Sequence, residues 1–526
     1  MPLSLHLLRK LDNALIGRRV GEAFKLLEQA NSALSALTPS DPLAASYLLC
    51  VAQCIDLGYG DIYFVDRLLK RFSAVHQGGM VLTDYLQLRM VEGFRAFAWE
   101  DSGAATTIFG AILPIQMELK IPRLLFPTHF WKARAHRKQG NYEAAMEHIL
   151  EAKRLAAEIP APKLVAVVEI HESWLLFQRG QRREAMHLLD EAEFELKDTG
   201  HALSLGNIES ARGRFVRRSG EYASALEHFH RAIAIYSTRF PNHPNLARAL
   251  VNAAYVKRLI ALDMTRVTHS GRAPGALHAR YLEICQDALS LLDRAKAIYA
   301  MHHHQGGTGA VLVNAGYLHL ESGDTGRASE EAIKAFHLGQ ENHDPILMAR
   351  ARILQASIEN TSVEEQLGDA ADVTVHANLA ASYADEGIEW ARQTQNKRLL
   401  AGAYIARGLT AANDFFAEWE LAKQFASMAA NLLGPEDKDH LSKELSLLKS
   451  RILREIGIDQ TLRSWSEGLV GGKTFQQITE EFAEIVIPKV WLQEDRKIAK
   501  VAERLSMSPK KVRRILRNAH LLKRGT

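Results

Sequence analysis

The sequence has very little cysteine: Cys50, Cys54 and Cys285 are the only three in 526 residues. Three thiols cannot form the set of disulfides that stabilises small secreted domains, and so low a count suits a reducing compartment. Cys50 and Cys54 stand four residues apart and could face each other on a helix. Burial as small hydrophobic side chains explains them better than a redox or metal-binding pair does. We therefore expect a cytoplasmic protein.

Long apolar runs and catalytic motifs are also missing. No segment approaches the ~18 consecutive apolar residues of a transmembrane helix, and the amphipathic N-terminus lacks the apolar run of a signal peptide. The GGKT segment (471–474) is not a phosphate-binding loop, because Glu467 stands where that motif needs a glycine. The adjacent His302, His303 and His304 have no nearby carboxylate or cysteine to complete a metal site. We expect neither an enzyme nor a cofactor.

What the sequence does contain favours helices. Alanine and leucine are abundant, and only 15 prolines interrupt 526 residues. The hydrophobic share of 47% and the charged share of 24% are those of a folded protein, not of a disordered one. At this length the chain needs two or three domains or an extended repeat array. The composition predicts an all-α fold.

Three segments align without gaps at a spacing of 40 residues: GNYEAAMEHILEA from Gly140, GQRREAMHLLDEA from Gly180 and GEYASALEHFHRA from Gly220. A fourth, GDTGRASEEAIKA, begins at Gly323. Each glycine would end one helix in a left-handed conformation, which a residue without a Cβ adopts at no steric cost. A small residue stands seven positions before each glycine, where the two helices of a pair would meet. These residues are Ala133, Ser173, Gly213 and Gly316.

The positions five, nine and twelve residues after each glycine fall on one face of the second helix. They carry small or apolar residues, and weaker copies of the pattern recur elsewhere in the chain. The sets are Ala145/Ile149/Ala152, Ala185/Leu189/Ala192, Ala225/Phe229/Ala232, Ala328/Ala332/Ala335, Ala23/Leu27/Ala30, Ala105/Phe109/Ile112, Ala288/Leu292/Ala295, Ala384/Ile388/Ala391 and Ala422/Ala426/Ala429. Together they predict roughly nine helical pairs within residues 1–455.

This pattern resembles the tetratricopeptide repeat, most specifically between Gly140 and Ala232. The spacing here exceeds the family's usual period of about 34 residues, which suggests longer helices or longer loops. The resemblance implies a right-handed superhelix whose concave face binds a protein or peptide segment, and a small signalling peptide that changes the pitch is one such ligand. A helical array without a ligand is the alternative. Two polar stretches, residues 263–281 and 359–375, interrupt the array and suggest inserted loops that contact a partner or, equally well, solvated linkers.

The charge is distributed unevenly along the chain. Residues 471–526 contain 13 Lys and Arg against 6 Asp and Glu, whereas the first 470 residues contain 52 against 55. A basic appendage on a nearly neutral body is typical of a nucleic-acid-binding protein. We divide the chain into a repeat array (1–455), a linker with a glycine hinge (456–473) and a C-terminal domain (474–526).

Three helices are predicted in this C-terminal domain. The first carries apolar residues at helical spacing up to Pro488, which bends or ends it. The second follows Asp495 as its N-cap, and the third follows Ser508 as N-cap with Pro509 in its first position. The apolar face of the third helix consists of Val512, Ile515, Leu516 and Ala519.

Two short helices, a tight turn and a basic second helix make a helix-turn-helix. The segment IAKVAERLSMSPKKVRRILRNAHL, with FAEIVI ahead of it, resembles the Fis-type DNA-binding domain of bacterial enhancer-binding activators. The resemblance implies a homodimer, joined through 474–494, that binds double-stranded DNA in successive major grooves. The DNA-binding residues it implies are Ser508, Lys510, Lys511, Arg513, Arg514, Arg517, Lys523 and Arg524. The ATPase domain of those activators has no counterpart in this sequence.

These observations predict a bacterial transcriptional regulator. A TPR-like solenoid would bind a protein or peptide partner, and the C-terminal helix-turn-helix would bind DNA, with no membrane association. The alternative is a scaffold or adaptor in a protein complex, whose tail is a capping helical pair with a solvated basic face.

Overall fold

The computed structural model describes residues 3–72, 74–159, 161–268, 275–365, 370–434, 436–457, 472–518 and 521–522. Within these residues the chain is all-α, with 25 helices and no strand, as the composition predicts. The chain divides into two compact units, Met1–Leu448 and Lys449–Thr526. None of the described helices is long and apolar enough to cross a membrane.

The helices are numbered in chain order. The first 22 are α1 (Leu5–Ile16), α2 (Val20–Ser35), α3 (Ala44–Asp56), α4 (Ile62–Leu69), α5 (Ala74–Gly78), α6 (Leu82–Ala98), α7 (Ser102–Leu119), α8 (Pro122–Lys138), α9 (Tyr142–Glu158), α10 (Pro162–Gln178), α11 (Arg182–Leu196), α12 (Ala202–Arg218), α13 (Tyr222–Arg239), α14 (Pro244–Thr268), α15 (Gly275–Met301), α16 (Gln305–Glu321), α17 (Thr325–Glu341), α18 (Pro345–Glu364), α19 (Ala370–Arg392), α20 (Lys397–Ala411), α21 (Trp419–Leu432) and α22 (His440–Gly457). The last three are α23 (Phe475–Gln493), α24 (Ile498–Arg504) and α25 (Pro509–Asn518).

Most of the first unit consists of helix pairs, in which a first helix packs against the second helix that follows it. The nine second helices are α2, α7, α9, α11, α13, α15, α17, α19 and α21. Their predicted inward-facing residues are all buried, with exposed fractions of at most 5%. Burying each leucine of these faces contributes on the order of 2 kcal/mol. The nine predicted pairs are therefore confirmed among the described residues.

The glycines that precede α9, α11, α13 and α17 end the preceding first helices as predicted. Gly140, Gly180, Gly220 and Gly323 have φ values of 81°, 86°, 80° and 83°, in the left-handed region that favours glycine. Two helices of 17 residues, as in α8 and α9, already fill the usual repeat of about 34 residues. Longer helices therefore account for the 40-residue spacing.

Size complementarity determines how closely the two helices of a pair approach. A Cβ on Gly213 of α12 would lie 2.9 Å from Cζ of Phe229 on α13. In the same way, a Cβ on Gly93 of α6 would lie 2.5 Å from the ring of Phe109 on α7. A large ring on the second helix thus occupies the space left by a missing side chain on the first.

Four described helices, α3, α4, α5 and α22, belong to none of the predicted pairs. Between the first and second pairs, α3 packs against α1, α4 and α6, and its residues join the same hydrophobic core. Neither α4 nor the five-residue α5 carries the alanine pattern of a second helix. Repeat spacing therefore gave no sign of them.

The first helices lie on the inner side of the array. Consecutive first helices contact one another directly, as α10 does α12, α12 does α14 and α14 does α16. Consecutive second helices of the described pairs contact each other much less. Since the first helices are closer together, the array curves around them. The side of the first helices that does not pack against the second helices is called the inner face.

Successive turns of the array touch each other. The backbone N–H of Gln395 donates to the carbonyl of Gly140 at 3.1 Å, and that of Lys438 donates to the carbonyl of Arg218 at 3.1 Å. The first bond joins the loop before α9 to the loop after α19. The second joins the C-terminal end of α12 to the loop after α21. The inner face is therefore bounded by parts of the chain that are distant in sequence.

The two predicted loops are wrong over most of their length. In the first, α14 continues to Thr268 and α15 begins at Gly275. In the second, α18 continues to Glu364 and α19 begins at Ala370. Tertiary packing outweighs the weak helix propensity of these stretches, as the buried Tyr281 and Val363 indicate. Residues 269–274 and 366–369 lie outside the described part of the chain.

The cysteines behave as small core residues. Cys50, Cys54 and Cys285 are all buried and unpaired. Burial raises the pKa of the Cys50 and Cys54 thiols well above the usual range. Both stay protonated at neutral pH, which leaves them poor nucleophiles and poor metal ligands.

In the second unit, α23 begins with a capping box. Thr474 Oγ1 accepts from the N–H of Gln477, and Gln477 Oε1 accepts from the N–H of Thr474 at 2.8 Å. The helix continues through Pro488 to Gln493, so the proline does not end it.

The predicted N-cap of the second tail helix is wrong. Asp495 and Arg496 have φ values of 52° and 61° and form the turn between α23 and α24. The N-cap is Lys497, and α24 begins at Ile498. The extension of α23 beyond Pro488 explains the difference, because the chain must reverse within the few residues that remain before α24.

Candidate nucleic-acid interface and solenoid inner face

The turn between α24 and α25 is built from local hydrogen bonds. The N–H of Met507 donates to the carbonyl of Ala502 at 2.8 Å. Ser508 Oγ then accepts from the N–H of Lys511 at 3.2 Å, with Pro509 as the first helical residue. Ser508 is thus the N-cap of α25, as the sequence predicts.

One side of α25 packs into a small core. Val512, Ile515 and Leu516 are at most 4% exposed. They pack with residues of α23 and α24, which include Ile487, Trp491, Val501 and Ala502. Ala519 lies outside the described residues. This packing fixes which side of α25 faces solvent.

The other side of α25 is basic and open to solvent. Its exposed residues are Ser508, Lys510, Lys511, Arg513, Arg514 and Arg517. Arg514 Nη2 lies 4.0 Å from Glu480 Oε1 of α23, and both side chains are about 60% exposed. So exposed a pair contributes little to stability and leaves Arg514 accessible to a competing anion. Lys523 and Arg524 lie outside the described residues.

An apolar surface remains on α23. Phe475 is 85% exposed and Phe482 is 48% exposed, and Ile478 and Ile485 at helical spacing between and after them are only partly buried. None of these four belongs to the core that α23 forms with α24 and α25. Large apolar side chains at this spacing are typical of a helix that packs against a further partner.

The inner face of the first unit carries a group of arginines from four first helices. Arg137 lies on α8, Arg214 and Arg217 on α12, Arg248 on α14 and Arg350 on α18. We call these five residues the inner arginine cluster. No carboxylate of the described residues lies within salt-bridge distance of any of them.

The arginines of the cluster influence one another electrostatically. Burial lowers the pKa of Arg137 to about 9, and Arg248 lowers it further. Burial holds the pKa of Arg214 well below its usual range, with Arg248, Arg137 and Arg217 adding to the effect. Burial also lowers the pKa of Arg217; Tyr255 and Asp439 oppose this effect, and Arg398 and Arg350 add to it. Each guanidinium therefore lies within electrostatic range of others in the cluster.

Neutral groups hold these guanidinium groups in position. Arg248 Nη2 donates to Asn207 Oδ1 at 2.9 Å, and Arg137 lies 5.1 Å from the centre of the Trp174 ring. The Nε atoms of Arg214 and Arg248 are buried and have no acceptor in the described part of the chain.

Other inner-face cations do have acidic partners. Arg134 Nη1 lies 2.7 Å from both carboxylate oxygens of Asp56. Arg218 Nε lies 2.6 Å from Asp437 Oδ1, and Arg398 Nη1 lies 2.7 Å from Asp437 Oδ2. The cluster, which has no carboxylate of the described residues within salt-bridge distance, thus lies beside cations that do have one.

Sequence reasoning did not identify the cluster, although part of its signal was present. Arg134 and Arg137 stand six and three residues before Gly140, and Arg214 and Arg217 stand six and three residues before Gly220. Those positions are one helical turn apart on the first helix of a pair.

No protein-family model matches this sequence, and no curated protein matches it. Among solved structures, the Rap protein complexed with competence and sporulation factor is 13% identical, with a TM-score of 0.48 over 84% of this chain and 98% of that one. The human IFIT1 dimer with m7Gppp-AAAA is 13% identical, with a TM-score of 0.46 over 82% and 96% of the two chains. The quorum sensor NprR from B. thuringiensis is 13% identical, with a TM-score of 0.39 over 82% and 98%. The repeat architecture itself follows from the helix pairs of this chain.

Proposed function

We propose that this protein is a bacterial DNA-binding transcriptional regulator of the cytoplasm. Its C-terminal unit, which we assign to the Fis type, binds double-stranded DNA through α25. The inner face of the TPR-like solenoid binds a protein or peptide partner. The protein acts by binding alone, without a catalytic step or a cofactor.

One observation carries the DNA-binding part of the proposal, namely the division of α25 into two faces. Val512 and Leu516 are fully buried, while Lys510 and Arg513 extend into solvent from the opposite side. A short helix held by its apolar side and basic on its outer side fits the major groove, where Arg and Lys reach base edges and phosphates. The positive end of the helix dipole at its N-terminus adds to the attraction for phosphate.

The apolar surface of α23 supports a homodimer. Packing Phe475 and Phe482 against the same residues of a second chain would remove them from water and bring two copies of α25 to one duplex. Twofold-related recognition helices bind half-sites about one helical turn apart.

The test is fluorescence anisotropy of the full chain with mixed-sequence duplex DNA over a series of salt concentrations. We expect binding that weakens steeply as salt rises, because bound phosphates release counterions. The double substitution Arg513→Ala/Arg514→Ala should abolish it. The matched control is Arg9→Ala/Lys10→Ala, which removes two adjacent exposed positive charges from α1. Absence of binding at low salt, or an equal loss in the control, would refute the proposal.

The competing proposal is a scaffold or adaptor whose tail does not bind DNA. The solvated basic face of a terminal helix pair favours it, because terminal repeats need a polar outer surface. The same titration separates the two, since an adaptor shows no salt-dependent DNA binding.

A further inference from the structure

The inner arginine cluster is unusual because it brings together five like charges, four of them partly buried, with no carboxylate of the described residues within salt-bridge distance. Bringing several cations out of bulk water and close together costs free energy unless an anion neutralises them. Asp344, the acidic group in electrostatic range of Arg350, already accepts from the N–H groups of Ile346 and Leu347 as the N-cap of α18. An anionic ligand would neutralise the charge that these groups leave uncompensated.

An acidic segment of the chain itself binds arginines next to the cluster. The segment between α21 and α22 places Asp437 against Arg218 and Arg398, and Asp439 against Arg398. The backbone of Lys438 in the same segment donates to the carbonyl of Arg218 at 3.1 Å. An acidic peptide stretch, bound through both carboxylates and backbone, thus already lies on the first helices.

We propose that the inner arginine cluster binds an acidic peptide segment of a partner, whose carboxylates pair with Arg137, Arg214, Arg217, Arg248 and Arg350. Guanidinium groups bind carboxylates with two parallel hydrogen bonds, so a run of Asp or Glu residues matches a row of arginines. The inference rests on the proposed function, whose partner it identifies by chemistry. The carboxylates of the bound segment would pair with arginines across the inner face, as Asp437 and Asp439 pair with arginines at its edge.

The site is already arranged before the peptide binds. Arg217 Nη1 lies 3.4 Å from Asn252 Oδ1, and the Arg217 guanidinium lies 4.7 Å from the centre of the Tyr255 ring. Amides and rings orient the guanidinium without neutralising it. Less side-chain entropy is then lost when the ligand binds.

The experiment measures anisotropy of a fluorescein-labelled peptide of about eight alternating Asp and Glu residues with the full chain. We expect Arg214→Gln/Arg248→Gln to weaken this binding about tenfold or more, because the partner carboxylates lose charge-assisted bonds. Arg350→Gln should weaken the binding as well. Because Arg350 is exposed, this substitution removes no buried atom, and a loss of binding cannot be attributed to misfolding. The control Arg9→Gln/Lys10→Gln should bind the peptide as the parent chain does.

Three competitors decide the ligand class: the matching Asn/Gln peptide, inorganic triphosphate and single-stranded RNA. The inference predicts that none displaces the acidic peptide at equal concentration. Displacement by triphosphate or RNA would overturn the inference in favour of a phosphate ligand. Equal binding of the Asn/Gln peptide would also overturn it, because binding would then not depend on the carboxylate charge. Duplex DNA binding by Arg214→Gln/Arg248→Gln is measured on the same sample. If the parent chain binds duplex DNA but not the peptide, only this inference is refuted. If it binds the peptide but not DNA, the proposed function as a DNA-binding regulator is refuted.

Discussion

Glu100 and Gly306 stand 206 residues apart, yet the N–H of Gly306 donates to Glu100 Oε2 at 2.8 Å. His304 Nε2 lies 3.2 Å from the other oxygen of the same carboxylate. His304 Nδ1 accepts from the N–H of Gly307, which leaves the proton of the neutral ring on Nε2 and directs it at Glu100. One carboxylate after α6 thus holds the start of α16 in place.

Replacing Glu100 by alanine should loosen this contact between turns of the array. This N–H is partly buried, and a fully buried N–H that loses its acceptor costs about 1–3 kcal/mol, which is the upper bound here. We expect faster hydrogen exchange at the start of α16 and a lower thermal unfolding midpoint. The control Glu118→Ala removes an exposed carboxylate on α7 that has no polar partner among the described residues. Equal exchange in the two variants would contradict the role of Glu100.

A methyl group added at Gly213 should destabilise the α12–α13 pair. The new Cβ would lie 2.9 Å from Phe229 Cζ, and overpacking of this kind costs about 1–3 kcal/mol. Urea unfolding followed by circular dichroism measures the change. At the matched helical glycine of α7, Gly110, a Cβ would meet only Lys132 Nζ at 3.8 Å. There the same substitution should be neutral or stabilise by about 0.5–1 kcal/mol, because alanine favours the helix.

Acid should destabilise the solenoid through its buried histidines. Burial lowers the pKa of His129 to about 4 and that of His201 to about 3, whereas an unfolded histidine titrates near about 6.5. Between those values the unfolded state binds more protons, so stability is full above pH ~6.5 and falls as pH decreases towards the folded pKa values. The slope is about 1.4 kcal/mol per pH unit for each extra proton.

The measurement is the urea midpoint at several pH values from neutral to mildly acidic. His129→Gln should reduce the slope, while His187→Gln, at a position 71% exposed, should leave it as in the parent chain. A midpoint that does not move with pH would refute this prediction.

Single substitutions on α25 should change the salt dependence of DNA binding in a graded way. If Lys510 contacts a phosphate, Lys510→Ala lowers the slope of log affinity against log salt by about 1. If Arg513 reads a base edge, Arg513→Ala also reduces the discrimination between sequences, by about 1–3 kcal/mol at one position. Unchanged slopes in both variants would separate α25 from DNA binding.

The apolar surface of α23 should determine the oligomeric state. Phe475→Ser/Phe482→Ser removes two exposed rings and should convert a dimer into a monomer in sedimentation velocity experiments. Phe194→Ser serves as the control, because that ring on α11 is 67% exposed and lies outside α23. A monomeric parent chain, or dissociation in the control alone, would contradict the proposed dimer.

The turn chemistry at Ser508 and Pro509 could be predicted from the sequence because an N-cap depends on a few adjacent residues. The prediction of Asp495 as the N-cap of α24 was wrong for a related reason. Asp495 is a good N-cap by type, but the length of α23 places it in a left-handed turn instead. Local preference identifies candidates, and the packing of neighbouring helices selects among them.

The sequence by itself determined the nine helix pairs, because the alanine faces and the left-handed glycines act over one or two helical turns. It also determined the two faces of α25. Only the tertiary structure brought Arg137, Arg217 and Arg350 into one cluster and Glu100 to Gly306. Such contacts depend on the rotation that accumulates from pair to pair over about five repeats, and no local spacing of residues encodes that sum.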